Sequence, residues 1–313
     1  MSQFEIRPQE IYLLECYSSA EYFKAMLDAY ANMVAAAEKA LDIFMQDLPY
    51  NYRDQPISQQ PDVVWGEHVL PNFRSTLEGL HTNYKRLLEG EKEAIEYAAN
   101  VKNDLNAQST DYWPDWMDQV NQDDFVYWQG QARKISRNIF ITVFNGWKFK
   151  SLAERYNVDA RGVINLPQSL PVYKINSVIK IKTDELVPQD GIYTPAIQNA
   201  SAQFLLKGTE AMEALVGLTS DGLQYDHLAS TDWFLVERIA DTGGSAETIE
   251  TENLKGFGGE ICPRSGCWWS PANQSQSCYF EQGEIFPEIA NSAWGKTIWY
   301  DVVPLIRPLN LVL

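Results

Sequence analysis

The side chains best suited to chemistry are Glu78 and His81, three clustered cysteines and several neighbouring carboxylates. Glu78-Gly-Leu-His81 is a Glu-x-x-His pair. Two such pairs on facing helices, with two further carboxylates, hold two iron or manganese ions inside a four-helix bundle. This chain has three histidines, and neither His68 nor His227 completes a second pair. The motif therefore reads as a surface pair. Cys262 and Cys267 are spaced Cys-x4-Cys, with Cys278 eleven residues further on. Three thiols without a nearby His do not complete a tetrahedral zinc site. A labile disulfide or plain buried thiols fit them better. Gly295-Lys-Thr297 has the ending of a phosphate loop, but Ala290 stands where that loop needs its first glycine. Asp226-His227 are adjacent, so their side chains point apart, and no nucleophile is marked beside them. Glu281, Glu284 and Glu288 could pair as acid and base, yet 42 acidic residues supply many such pairs by chance. No catalytic residue, metal site or cofactor is assigned.

One segment reads as a binding surface. Residues 111–124 combine Asp111, Tyr112, Trp113, Asp115, Trp116, Asp118, Asp123 and Asp124. Trp and Tyr are typical interface anchors, and carboxylates suit a basic partner. The competing reading is a loop whose tryptophans tuck into a helical core.

The elements that must position these residues fall into two halves. Phe23, Leu27, Tyr30, Val34, Ala37, Leu41, Phe44 and Leu48 recur in steps of three and four, which places them on one helix face. That helix starts near Ser18 or Ser19 and stops before Pro49. Phe73, Leu77, Leu80, Tyr84 and Leu87 begin a second, and Ala94, Ala98, Val101 and Leu105 continue it in phase. A third helical stretch runs from Trp116 to Tyr156, with Pro114 opening it. Three long helices with short links predict an antiparallel bundle. Beyond Asn157 the prolines crowd, and Val172–Lys182 is β-branched and partly alternating, as a strand requires. The fold class is α+β, with a helical bundle over 1–160 and a β-rich domain over 161–313.

That second half repeats itself. Pro188, Gly191, Tyr193, Phe204 and Gly208 are echoed by Pro263, Gly266, Trp268, Phe280 and Gly283. The period is 75 residues, with the phenylalanines slipped by one. Duplication of a small β unit follows, with modules over about 184–240 and 256–313. Pro-x-x-Gly makes the entering turn and the aromatic packs beneath it.

The chain has 25 basic and 42 acidic side chains, a net charge of −17. A general nucleic-acid binder is excluded, because phosphate contacts need clustered Lys and Arg. Residues 1–130 carry 9 basic and 22 acidic groups, whereas residues 131–180 carry 9 and 2. The basic stretch is expected to pair with its acidic flanks. No apolar run approaches the roughly 20 residues that span a bilayer, and no signal peptide opens the sequence, so a cytoplasmic chain without a membrane association is expected.

Cys262-Pro-Arg-Ser-Gly-Cys-Trp268, Gly283-Glu-Ile-Phe-Pro287 and Gly295-Lys-Thr-Ile-Trp299 together resemble a C-P-x-[ST]-G-x-W … G-x-x-x-P … G-x-x-x-W pattern. That pattern is similar to one in immunity proteins of bacterial polymorphic-toxin and type VI secretion systems. The likeness is specific over residues 255–303 and looser over the helical half. It implies a non-enzymatic antidote that binds a cognate toxin effector, for example a nuclease, and occludes its active site. On this reading Cys262, Pro263, Gly266, Trp268, Gly283, Pro287 and Trp299 build the module and do not touch the toxin. With Tyr193 for Trp and Val187 for Cys, the first repeat is its degenerate copy. The sequence leaves open an enzyme of unknown type, a secretion-assembly adaptor, and pairing of the chain with itself as a homodimer.

Overall fold

The computed structural model describes residues 6–217, 227–244, 255–263, 265–270, 277–289 and 297–301. Among the described residues, six α-helices precede ten strands: α1 (Pro8–Tyr17), α2 (Ala20–Gln46), α3 (Leu70–Leu88), α4 (Ile95–Asp111), α5 (Gln119–Val143) and α6 (Val158–Arg161). The class is α+β. Ser19 caps α2 by accepting the Tyr22 N–H at 3.1 Å. Phe23, Met26, Tyr30, Met33 and Ala37 are fully enclosed along its inner face. The helix ends at Gln46, where the approach to Pro49 disfavours helical backbone.

The expected second helix is two. Gly90, at φ +97°, ends α3. The Glu91 N–H reaches the Arg86 carbonyl at 3.0 Å and the Gly90 N–H reaches Leu87 at 3.2 Å. This left-handed stop turns the chain, and α4 packs back on α3. The in-phase apolar pattern misled because both helices bury their stripes in the same core. The third stretch is also shorter than expected. Pro114 does not open it. The Asp118 carboxylate caps Gln119–Val143, and Asn145 at φ +53° closes it. Trp147 lies beyond the helix yet remains buried. Its ring stacks on Tyr17 at 5.8 Å, and its Nε1–H donates to Thr142 Oγ1 at 3.0 Å. Helices α2, α3, α4 and α5 thus form a four-helix bundle, α2 and α4 each packing on both α3 and α5.

Strands β1 (Leu170–Lys182), β2 (Gly191–Pro195), β3 (Gln203–Leu205) and β6 (Asp232–Gly244) make one antiparallel sheet in the order β1-β6-β2-β3. A hairpin of β4 (Ala214–Val216) and β5 (His227–Ala229) sits within this module. A second sheet has the order β7-β10-β8-β9, from β7 (Lys255–Phe257), β8 (Gly266–Trp269), β9 (Ser277–Phe280) and β10 (Ile298–Asp301). The two modules therefore form separate sheets.

The compact units do not divide at 160. One comprises residues 1–163 and 168–244, the other residues 164–167 and 245–313. The helix-to-strand change near 160 is a change of element inside the first unit. The buried Glu10 of α1 accepts the Ala202 N–H at 2.5 Å. Gln203 Nε2 donates to the Trp147 carbonyl at 2.8 Å, and Ser201 Oγ donates to Lys148 at 2.9 Å. Glu15 pairs with Arg238 of β6 and accepts the Tyr173 hydroxyl at 2.7 Å. These hydrogen bonds tie the bundle to the first sheet, at about 0.5–1.5 kcal/mol net for each.

The duplication holds bond by bond. Val187 N–H to Thr209 O recurs 75 residues on as Cys262 N–H to Glu284 O. Gly208 N–H to Val187 O recurs as Gly283 N–H to Cys262 O, the two glycines at φ +81° and +96°. Glu185 accepts the Lys182 N–H at 2.8 Å, and Glu260 accepts the Phe257 N–H at 2.9 Å. Tyr193 and Trp268 are both fully enclosed, as are Trp233 and Trp299. The indole N–H of Trp233 donates to Met212 O and that of Trp299 to Pro287 O. One equivalence differs from the sequence reading. Gly191 pairs with Leu205 and Gly266 with Phe280, so Phe280 matches Leu205 rather than Phe204.

Candidate functional site

The 111–124 segment joins α4 to α5 at one end of the bundle, and the structure divides its aromatics. The side chain of Asp111 lies outside the described residues. Tyr112 and Trp113 point outward, Trp113 at 68% exposure. Trp116 turns inward. Its ring meets Trp65 edge-on at 5.3 Å and Phe44 at 5.8 Å, while Met117 is buried beside it in sequence. Trp65 in turn packs on Phe125 at 5.5 Å, and Phe125 stacks on Phe73 at 6.3 Å. Trp116 is therefore a staple of the bundle core, and it leaves the candidate binding set. A turn closed by Met117 N–H to Pro114 O at 3.0 Å separates the inward tryptophan from the outward one.

The aspartates divide too. Asp118 is committed to α5, accepting the Asn121 N–H at 3.3 Å and Asn121 Nδ2 at 2.6 Å. The Asn121 side chain holds this carboxyl below the usual carboxylate range. Asp115, Asp123 and Asp124 are exposed. Gln119 donates to Asp123 at 2.8 Å, and Gln122 reaches Asp115 only at 3.4 Å.

A groove of about 260 Å³ opens beside Trp113, walled by Tyr112, Pro114, Asp115, Gln122, Val126 and Gln129 over a floor of Phe125. Further apolar side chains of α5 are exposed: Val120, Val126 and Tyr127, at 66%, 51% and 57%. These α5 positions were missed from sequence. Val120, Asp123, Asp124 and Tyr127 follow an i, i+3, i+4, i+7 spacing, which marks a helix face opposite the Phe125–Ala132–Ile139 core stripe.

The other candidates disperse. Glu78 and His81 are both exposed on α3. Among the described residues, no three His, Cys, Asp or Glu side chains gather to hold a metal ion. Glu281, Glu284 and Glu288 are exposed, and Glu284 is engaged with the Glu281 N–H at 2.7 Å. His227 is exposed on β5, and Asp226 lies outside the described residues, as do Ala290 and Gly295-Lys296. Thr297 is buried and accepts the Ile289 N–H at 2.9 Å. Cys262, Trp268, Phe286 and Trp299 form the core of the second module, with Cys278 and Phe280 packed against it. Pro263, Gly283 and Pro287 lie in its exposed turns.

The basic stretch pairs only in part. Lys180 bridges Asp232 at 2.7 Å, Lys150 bridges Glu154 at 3.4 Å, and Arg133 and Arg137 stay exposed. Arg161 lies over the Trp147 ring at 4.8 Å, and burial, with Arg137 adding to it, lowers its pKa. No described helix is long and apolar enough to cross a membrane.

No family model, curated protein or solved structure matches the chain.

Proposed function

We propose that this chain is a cytoplasmic immunity protein of the bacterial polymorphic-toxin kind. It binds a cognate toxin effector stoichiometrically and blocks its active site. The observation that carries the reading is the exposed acidic and aromatic surface around Trp113 at the α4–α5 end of the bundle. Exposed large aromatics beside carboxylates suit protein recognition, and the chain's charge of −17 suits a basic partner. Support also comes from the Cys262–Trp299 pattern, of which Cys262, Trp268 and Trp299 form a small module core. A toxin with a basic active-site cleft, as in a nuclease, would be steered to such a surface by its field.

The test is a tagged pull-down from the native cell, followed by reconstitution. The expected result is one stoichiometric partner with a toxin domain, whose purified activity is abolished at a 1:1 ratio. A partner set limited to metabolic enzymes, or a toxin still active when saturated, would overturn the reading.

A further inference from the structure

The groove beside Trp113 carries more information than its position. It is small, at about 260 Å³, below the ~300–1,000 Å³ range of pockets that enclose small molecules. It is the size to accept a protruding side chain. Its walls offer two kinds of contact. Tyr112 and Trp113 contribute aromatic rings to its lining, and Asp115, Gln122 and Gln129 contribute side chains that carry oxygens. Its floor, Phe125, is held by Trp65 and Phe73 and so is set before any partner arrives. From residue 103 to residue 132 the chain has six aspartates and no Lys, Arg or His. No cation of this segment competes for the site.

Resting on the function proposed above, we infer that this groove receives an arginine side chain from a basic segment of the partner. A guanidinium stacks flat on an aromatic ring while its edge donates to carboxylate and amide oxygens. Tyr112, Trp113 and Asp115 line this one groove, so both kinds of group belong to it. An ammonium fits less well, because lysine is a compact, strongly hydrated charge that gains less from a ring face. A neutral or acidic segment would leave the Asp115 carboxylate unanswered, and the chain's charge of −17 would oppose an acidic one.

The experiment titrates the intact chain with two synthetic peptides, one bearing spaced arginines and one with lysines at the same positions. Calorimetry and tryptophan fluorescence follow binding at two salt concentrations. The arginine peptide is expected to bind about tenfold tighter than the lysine peptide. Trp113→Ala should erase that preference, and Asp115→Asn should weaken both peptides. Circular dichroism confirms that each variant is folded. Equal binding of the two peptides, or binding unchanged by Trp113→Ala, would overturn the inference. The native-cell pull-down is repeated with Trp113→Ala. A toxin retained equally by this variant would also overturn the groove assignment while leaving the proposed function intact. Trp113-dependent arginine binding with no toxin partner would uphold the groove and reject the function.

Discussion

Glu10 offers the sharpest perturbation. Its carboxylate is buried between α1 and the start of β3, where it accepts the Ala202 N–H at 2.5 Å with the Arg7 guanidinium 3.8 Å away. Burial raises its pKa from 4.5 to about 7, against the pull of the Ala202 N–H, Arg7 and Ser201, with Glu154 adding slightly to the rise. The protonated form is therefore favoured by folding. Its stabilising effect is complete below pH 4.5 and is lost as the pH climbs through 7. At 1.36 kcal/mol per tenfold change in proton affinity, the fold loses about 3 kcal/mol from this group across that window. Glu10→Gln keeps an oxygen for the Ala202 N–H and removes the ionisation. Urea unfolding of both proteins from pH 4 to pH 8.5, followed by tryptophan fluorescence, isolates the term, because the other carboxylates titrate alike in both. The variant should match the parent near pH 4 and exceed it by up to ~3 kcal/mol at pH 8.5. A stability difference independent of pH would refute the assignment of a buried, ionising Glu10.

The two tryptophans of the α4–α5 link should respond oppositely. Trp116→Ala removes a half-buried ring that packs on Trp65 and Phe44 and is expected to cost ~2–3 kcal/mol in chemical denaturation. Trp113→Ala, at an exposed position, should fall within about 0.5 kcal/mol. Similar losses for both would show that the segment does not divide as described. Gly90→Ala should cost ~1–2 kcal/mol, measured by thermal unfolding, because φ +97° strains any residue with a Cβ. In the second module, Gly256→Ala would set a methyl 2.3 Å from the Phe286 ring. Calorimetry should show a loss of ~1–3 kcal/mol, and an unchanged melting profile would contradict the packing of Phe286 over β7.

Helix α2 was legible because its period, its Ser19 cap and its proline stop all agree. The 75-residue repeat was legible because turn glycines and core aromatics are forced types at fixed places, and the structure turns each match into a shared hydrogen bond. The α3–α4 turn was not read, since an apolar phase that continues across Gly90 does not say whether the chain continues or folds back. The reach of the bundle into the first sheet was invisible as well. Glu10 and Ala202 are 192 residues apart, and no local pattern announces a hydrogen bond across that distance. The inward turn of Trp116 was the competing reading of its segment, and the Pro114–Met117 turn decided it for one tryptophan but not for its neighbour.

By itself, then, the sequence determined what local physics controls: the helical first half, the duplicated β modules and the acidic charge. The tertiary structure alone decided which side chains face water. Trp113 and Trp116 are the same residue type three positions apart, yet one lines a groove and the other holds the core. That choice depends on whether Phe44 and Trp65, more than 50 residues away in the chain, supply an apolar wall for the ring to cover.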